Sequence, residues 1–164
     1  MKKPTLIIIR GVSGSGKSTV ADELRKYFGK DVAVIHTSIF YHEIVKGDKP
    51  EIVMENTYRI LDNYLKNKYS VILEGTLSFK DKNNRYYFER FIRLAKKYKI
   101  PVKQFFFEAD FSVLVKREKK RKKISLKRLK EMYNLAIKSK QTNEIIIDTS
   151  HKSVNQVVKE IIKW

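Results

Sequence analysis

Residues 11 to 18 read Gly11-Val12-Ser13-Gly14-Ser15-Gly16-Lys17-Ser18, directly after an apolar run at 6–9 and directly before a stretch of helical periodicity. Three of the six glycines in the chain fall inside this octet. A backbone that must wrap its amides around a tetrahedral anion needs residues without a Cβ, so the spacing reads as a phosphate cradle between a strand and a helix. In such a cradle Lys17 supplies a full charge to the outer phosphates of a nucleoside triphosphate. The Ser18 hydroxyl is placed to ligate magnesium, and the helix starting near Lys17 turns its positive end to the same anion. Thr19 adds a second hydroxyl and otherwise reads as a helix residue. Gly11, Ser13, Gly14, Ser15, Gly16, Lys17, Ser18 and Thr19 form the expected nucleotide-binding set, with ATP and Mg2+ as its ligands.

A chain of 164 residues, 42% hydrophobic and 12% aromatic, has the length and composition of one domain with a full core, and no repeat or linker divides 1–164. It contains no cysteine, which excludes disulfides and cysteine-ligated zinc, and its three histidines are scattered. The opening Met1-Lys2-Lys3 and the short apolar run after it are too brief for a signal peptide or a membrane span, so a soluble cytoplasmic protein with no membrane partner is expected. The formal charge of +18 favours anionic partners, nucleic acid among them. Because 27 of the 36 cations are lysine, a solvated lysine-rich surface explains that charge equally well.

Apolar runs suited to buried strands recur at 6–9, 32–35, 71–73, 102–107 and 145–147. Helical stripes lie between them. The first carries Val20, Ala21, Leu24, Tyr27 and Phe28 and stops at Gly29. Pro50 opens the second, with Val53, Thr57, Ile60, Leu61, Tyr64 and Leu65; Tyr87, Phe91, Leu94, Ala95 and Tyr98 make the third, and 154–162 the last. These stripes read as core. Strands alternating with helices imply right-handed crossovers, hence a three-layer α/β sandwich around a five-stranded parallel sheet. Ligands of such sheets bind beyond the carboxyl ends of the strands, where Arg10, Glu74, Glu108 and Asp148 are expected to emerge.

No guanine-reading N-K-x-D element occurs, the chain is too short for an AAA+ module with its helical lid domain, and no ABC signature is present. Small kinases remain. From Asp110 a helix runs into a cluster with seven basic residues among the eight at 116–123. Phosphoryl transfer needs cations around the γ-phosphate with water excluded, so 110–140 reads as a basic lid, with Arg117 and Arg121 on one helical face as catalytic candidates. A solvated charged helix or a nucleic-acid patch is the competing reading of the same run.

Taken together, the phosphate loop, an acceptor loop after the second strand, a hydrophobic strand ending in Glu74, the R-x-x-x-R lid and a last strand followed by a helix resemble the P-loop kinase superfamily across nearly the whole chain. The nearest likenesses are to polynucleotide kinases and zeta-toxin-like kinases, whose Glu-Gly-Thr segment is similar to Glu74-Gly75-Thr76. The resemblance implies a P-loop NTPase of nucleoside/nucleotide-kinase type that transfers the γ-phosphate of ATP to a hydroxyl. The best acceptor is the 5′-hydroxyl of RNA or DNA; a nucleoside, nucleotide or nucleotide sugar is the alternative, and a nucleotide-binding module without transfer is a third. Glu74 orders the magnesium shell, positions an acceptor hydroxyl, or merely caps a neighbouring helix. These kinases commonly place an aspartate after the second strand as general base; Ser38 stands there instead, leaving Glu74 or Glu43 for that role. Ser38, Tyr41 and Arg85 are candidate acceptor contacts, and Tyr86 and Tyr87 either stack a base or pack. Thr149 is expected to border the adenine, with His151 beside it. His36 and His42 read as hydrogen-bonded structure rather than catalysts.

Overall fold

The computed structural model describes residues 3–44 and 49–164; Met1 and Lys2 lie outside the described residues. Strands β1 (Leu6–Gly11), β2 (Val32–His36), β3 (Ser70–Gly75), β4 (Val102–Glu108) and β5 (Ile145–Asp148) form one sheet, ordered β2-β3-β1-β4-β5 and parallel throughout. Helices α1 (Lys17–Phe28), α2 (Thr37–Ile39), α3 (Pro50–Lys66), α4 (Tyr87–Lys97), α5 (Phe111–Arg121), α6 (Leu126–Lys138) and α7 (Val154–Ile162) make the connections, with a π-helical turn at Phe40–Ile44.

Strand β1 lies at the centre and is buried along its whole length, as a strand covered on both faces must be. Its residues divide by the period-two rule. Ile7 and Ile9 pack with Val20 and Leu24 of α1 and Val157 and Ile161 of α7, whereas Leu6 and Ile8 pack with Leu61 and Leu65 of α3 and Phe91 and Leu94 of α4. A third cluster joins Val12, Phe106 and Ala109 to Leu114 of α5 and to Leu129 and Ala136 of α6. The α5–α6 hairpin is thereby seated at the carboxyl end of the sheet. Local chemistry bounds the helices, at Gly29 and Pro50 as expected. Gly29 closes α1 at φ +89° with its N–H on Arg25, Pro50 opens α3, and Ser153 and Gln156 form a reciprocal cap on α7.

Three expectations need correction. Tyr27 and Ile60 are 57% and 38% exposed, so the stripes on α1 and α3 are wider than the core they cover. The hairpin contains a second helix, α6, whose periodicity the basic residues around it obscure. Arg10 does not emerge into the ligand crevice. It is completely buried, with Nε and one terminal nitrogen on the Glu144 carboxylate and the other terminal nitrogen 2.9 Å from Ser139 Oγ. Its guanidinium lies 4.2 Å from the Phe88 ring centroid and 5.1 Å from that of Phe106.

Removing one member of a buried ion pair leaves the other charge without a partner. Arg10→Met is therefore expected to cost about 3–5 kcal/mol, and the double change Arg10→Met with Glu144→Leu less than that, measured by urea unfolding.

Candidate active site

Where β1 ends, the chain must leave the sheet beside β4 and turn into α1. Gly11 permits the first step: its φ is +133°, and a Cβ there would stand 2.1 Å from the Phe107 carbonyl oxygen. Gly14 and Gly16 also hold positive φ, and Gly16 hands over to α1 from the left-handed region. Helix α1 begins with no side-chain cap and no acid of its own in its first turn. A loop of this shape, ending in an uncapped helix and a buried lysine, fits the phosphates of a nucleotide.

Lys17 is buried, and its Nζ donates to the Val12 carbonyl at 2.8 Å; the Ser15 hydroxyl and N–H donate to the same oxygen. Burial lowers the Lys17 pKa to about 8, with Glu74 opposing that shift and Arg121 adding to it. Ser18 Oγ donates to Glu74 Oε1 at 3.0 Å. Glu74 is buried at the end of β3, where Gly75 follows because a Cβ there would stand 2.2 Å from Thr37 Oγ1. Just beyond, Leu77 is buried at φ +49°, a conformation rarely taken by a branched side chain.

Among the described residues no group of three or more acidic or histidine side chains can hold a metal. A hard cation here would take Ser18, the Glu74 carboxylate and phosphate oxygens, the donor set that suits magnesium brought in with its nucleotide.

His36 is hydrogen-bonded structure, as its place at a strand end led one to expect, but its partners were not legible from the sequence. Its Nδ1 lies 2.8 Å from Glu74 Oε1 and its Nε2 3.1 Å from Asp22 Oδ1. An imidazole with carboxylate oxygens at both nitrogens makes both hydrogen bonds only when doubly protonated. The Glu74 hydrogen bond is the main cause that raises its pKa above the ordinary 6.5. The only signal in the sequence was its place at the end of β2, one strand away from Glu74; the pairing of His36 with Glu74 in register appears only in the sheet.

Helix α5 brings its two arginines to the loop by different routes. Arg117 donates to the Thr149 carbonyl at 2.6 Å and reaches the Gly14 carbonyl and the Thr149 hydroxyl at 3.4 Å, tying the phosphate loop to the loop after β5. Thr149 itself is buried and bonded to the Glu108 carbonyl. Arg121 lies over Gly14, 3.7 Å from Glu118, close enough to Lys17 to act on its charge. Arg85 stands apart, in a charged groove with Glu51, Glu55 and Arg90, 3.7 Å from Asp81. Ser38 is exposed on α2, Thr19 is exposed on α1, and Glu43, His42 and His151 are exposed. Tyr41 is partly buried against the α3–α4 core. Tyr87 packs in the core, whereas Tyr86 stacks on Phe88 with Lys80 over its ring.

A parallel sheet of this order, with a phosphate loop leaving the central strand and a basic helical hairpin beside it, is a P-loop α/β fold. A profile of the AAA_33 family, an AAA domain, matches residues 6–153. The chain belongs to that family. The expectation that excluded an AAA+ module is corrected to this extent: the matching profile is that of an AAA domain, and the match ends just before α7. Uridine kinase of Clostridium perfringens is 40% identical over 65 residues, which are 39% of this chain and 28% of that protein, so the chain matches about a quarter of the relative's length. Many solved structures share the fold, among them these two. The APS kinase CysC of Mycobacterium tuberculosis, in complex with AMPPNP and APS, superposes with a TM-score of 0.68 at 16% identity, covering 98% of this chain and 96% of that one. Shikimate kinase of Aquifex aeolicus gives 0.64 at 19% identity over 97% and 94%. No helix among the described residues is long and apolar enough to cross a membrane.

Two titrations are expected. Phosphates bound to Lys17 restore its charge, so nucleotide binding should take up protons at about pH 8.5 and none well below 8; calorimetry in buffers of different ionisation enthalpy reads the difference, and Lys17→Met abolishes it. The His36 contribution, from a pKa raised on folding, is fully present below 6.5 and lost as pH rises through the raised value. The melting temperature should fall across that interval, and His36→Gln should flatten the fall.

Proposed function

We propose that the chain transfers the γ-phosphoryl group of ATP to a hydroxyl. The observation that carries this reading is the meeting, at the end of the central strand, of buried Lys17 with Ser18 hydrogen-bonded to the buried Glu74. Lys17 and the amides of 13–18 hold the phosphates in line, and Arg121 adds a cation where charge builds on the transferred group. Ser18 and Glu74 would hold a magnesium ion, which would supply neutralisation of the phosphate charge. Arg117, on the Thr149 carbonyl, positions the loop that borders the nucleobase.

The proton of the acceptor hydroxyl needs a destination. Glu74 Oε1 is taken by Ser18 and His36, whereas Oε2 makes no hydrogen bond among the described residues and is the base in reach. His36 and Asp22 hold that carboxylate in place. This arrangement takes over from the aspartate that Ser38 replaces, and it leaves exposed Glu43 without a part in the step.

The proposed acceptor is the 5′-hydroxyl of an RNA or DNA strand. The basic hairpin on the rim of the cleft and the formal charge of +18 suit a polyanion. A small hydroxylated acceptor is the second reading, favoured by the stretch shared with uridine kinase.

Transfer of labelled γ-phosphate to 5′-hydroxyl oligonucleotides, nucleosides and nucleoside monophosphates separates the two; label in small molecules alone overturns the first. A strand acceptor also requires a KM that climbs steeply with salt. Lys17→Ala should abolish transfer without unfolding the chain, and Glu74→Gln should lower kcat by about 10²–10⁴. Arg121→Ala should lower kcat more than ATP affinity, and Arg117→Ala should act chiefly on the KM for ATP.

A further inference from the structure

The phosphate loop occupies one end of the sheet; the opposite end carries a second concentration of charge. Hydrogen bonds across the sheet bring the entry to β1 and the turns before β3 and β4 together there. The Leu6 N–H donates to the Pro101 carbonyl, the Val71 N–H to Thr5, and the Thr5 N–H to Ser70 Oγ. Both turns carry a tyrosine set among lysines: Lys66-Asn67-Lys68-Tyr69 and Lys96-Lys97-Tyr98-Lys99. Lys68 Nζ donates to the Tyr98 carbonyl at 3.2 Å, so the two turns are in direct contact.

Lys3, Lys66, Lys68, Lys96, Lys97 and Lys99 are all exposed, and none has a carboxylate within 4.0 Å among the described residues. The acid bonded to these turns is Asp62, which accepts the Tyr98 hydroxyl at 2.7 Å. Lys66, Lys96 and Lys97 complement the carbonyl ends of α3 and α4. Lys3, Lys68 and Lys99 stand outside both helices, and the last two occupy left-handed turn positions. Tyr69 is 44% exposed and held edge-on against Tyr64 at 5.6 Å, an aromatic face fixed in solvent among cations.

We propose that this end of the sheet is a nucleic-acid-binding surface for single-stranded RNA or DNA, with the lysines of the two turns on backbone phosphates and Tyr69 stacking a base. It lies about 20 Å from the phosphate loop, the length of a six-residue strand, and so is not part of the acceptor pocket. The inference does not depend on the acceptor: a strand bound here need not be the one phosphorylated.

The test is fluorescence anisotropy of a labelled mixed-sequence single strand against salt concentration. The comparison is between wild type, a reversal variant (Lys66→Glu, Lys68→Glu, Lys97→Glu, Lys99→Glu) and a lid variant (Lys119→Glu, Lys122→Glu, Lys123→Glu). The reversal variant should bind more than tenfold more weakly, and the slope of log affinity against log salt should fall by about 3, or 0.7 for each of four phosphates. Tyr69→Leu, which keeps apolar packing on Tyr64, should weaken binding by about 5- to 100-fold. Unchanged ATP affinity in the reversal and Tyr69→Leu variants shows that both are folded. Wild-type affinity and slope in the reversal variant, or loss confined to the lid variant, would overturn the proposal. So would a Tyr69→Leu protein that binds the strand as tightly as wild type, since charge alone would then attract any polyanion.

Discussion

Arg10 carries a full charge at the end of the central strand with no contact to water, and the way its donors are used fixes where three neighbouring segments lie. Glu144, which takes two of them, belongs to the turn before β5. Ser139, which takes the others through its hydroxyl and its carbonyl, closes α6 and also lies 2.8 Å from Ser78 Oγ in the loop after β3. The trailing end of the basic hairpin, the last strand and the loop beyond Glu74 are thus all hung on one guanidinium, itself clasped between Phe88 and Phe106. A charge kept dry in this way tolerates few alternative arrangements, because each one strands a donor or an acid. It stands one residue before the loop that grips phosphate.

The same economy runs through the site. Glu74 joins β3 to the phosphate loop through Ser18 and to β2 through His36, and Asp22 of α1 closes the circuit. Three elements, β3, α1 and β2, are therefore joined through one carboxylate. Across the cleft, Arg117 links Gly14 to Thr149 and makes the loop after β5 dependent on where α5 sits. Glu118 supports that helix from below: its Oε1 accepts the N–H groups of Lys123 and Ile124 and holds the turn of the hairpin, while Arg121 lies beside its other oxygen.

Much of this fold was legible in the sequence because parallel strands covered on both faces need unbroken apolar runs and the crossover helices need 3.6-residue stripes. All five strands were readable for that reason, and the phosphate loop because its glycines are dictated by backbone geometry. What stayed hidden depends on pairing across the sheet. Arg10 looks from sequence like a residue at a ligand-facing strand end; only Glu144, 134 residues away, makes its burial possible. His36 looks like an ordinary strand-end histidine until β2 is set beside β3. The short helical segment after β2 and helix α6 escaped because one is too brief for a period and the other is crowded with lysine.

The Val12 carbonyl, which accepts Lys17 Nζ and both donors of Ser15, has a consequence of its own. It gives the glycine-rich loop an internal ligand. The conformational entropy of three glycines is surrendered when the chain folds rather than when a nucleotide arrives, so the cradle is preorganised. Binding then becomes an exchange of partners at the lysine, one oxygen of the protein for several of the phosphate, with little left to order.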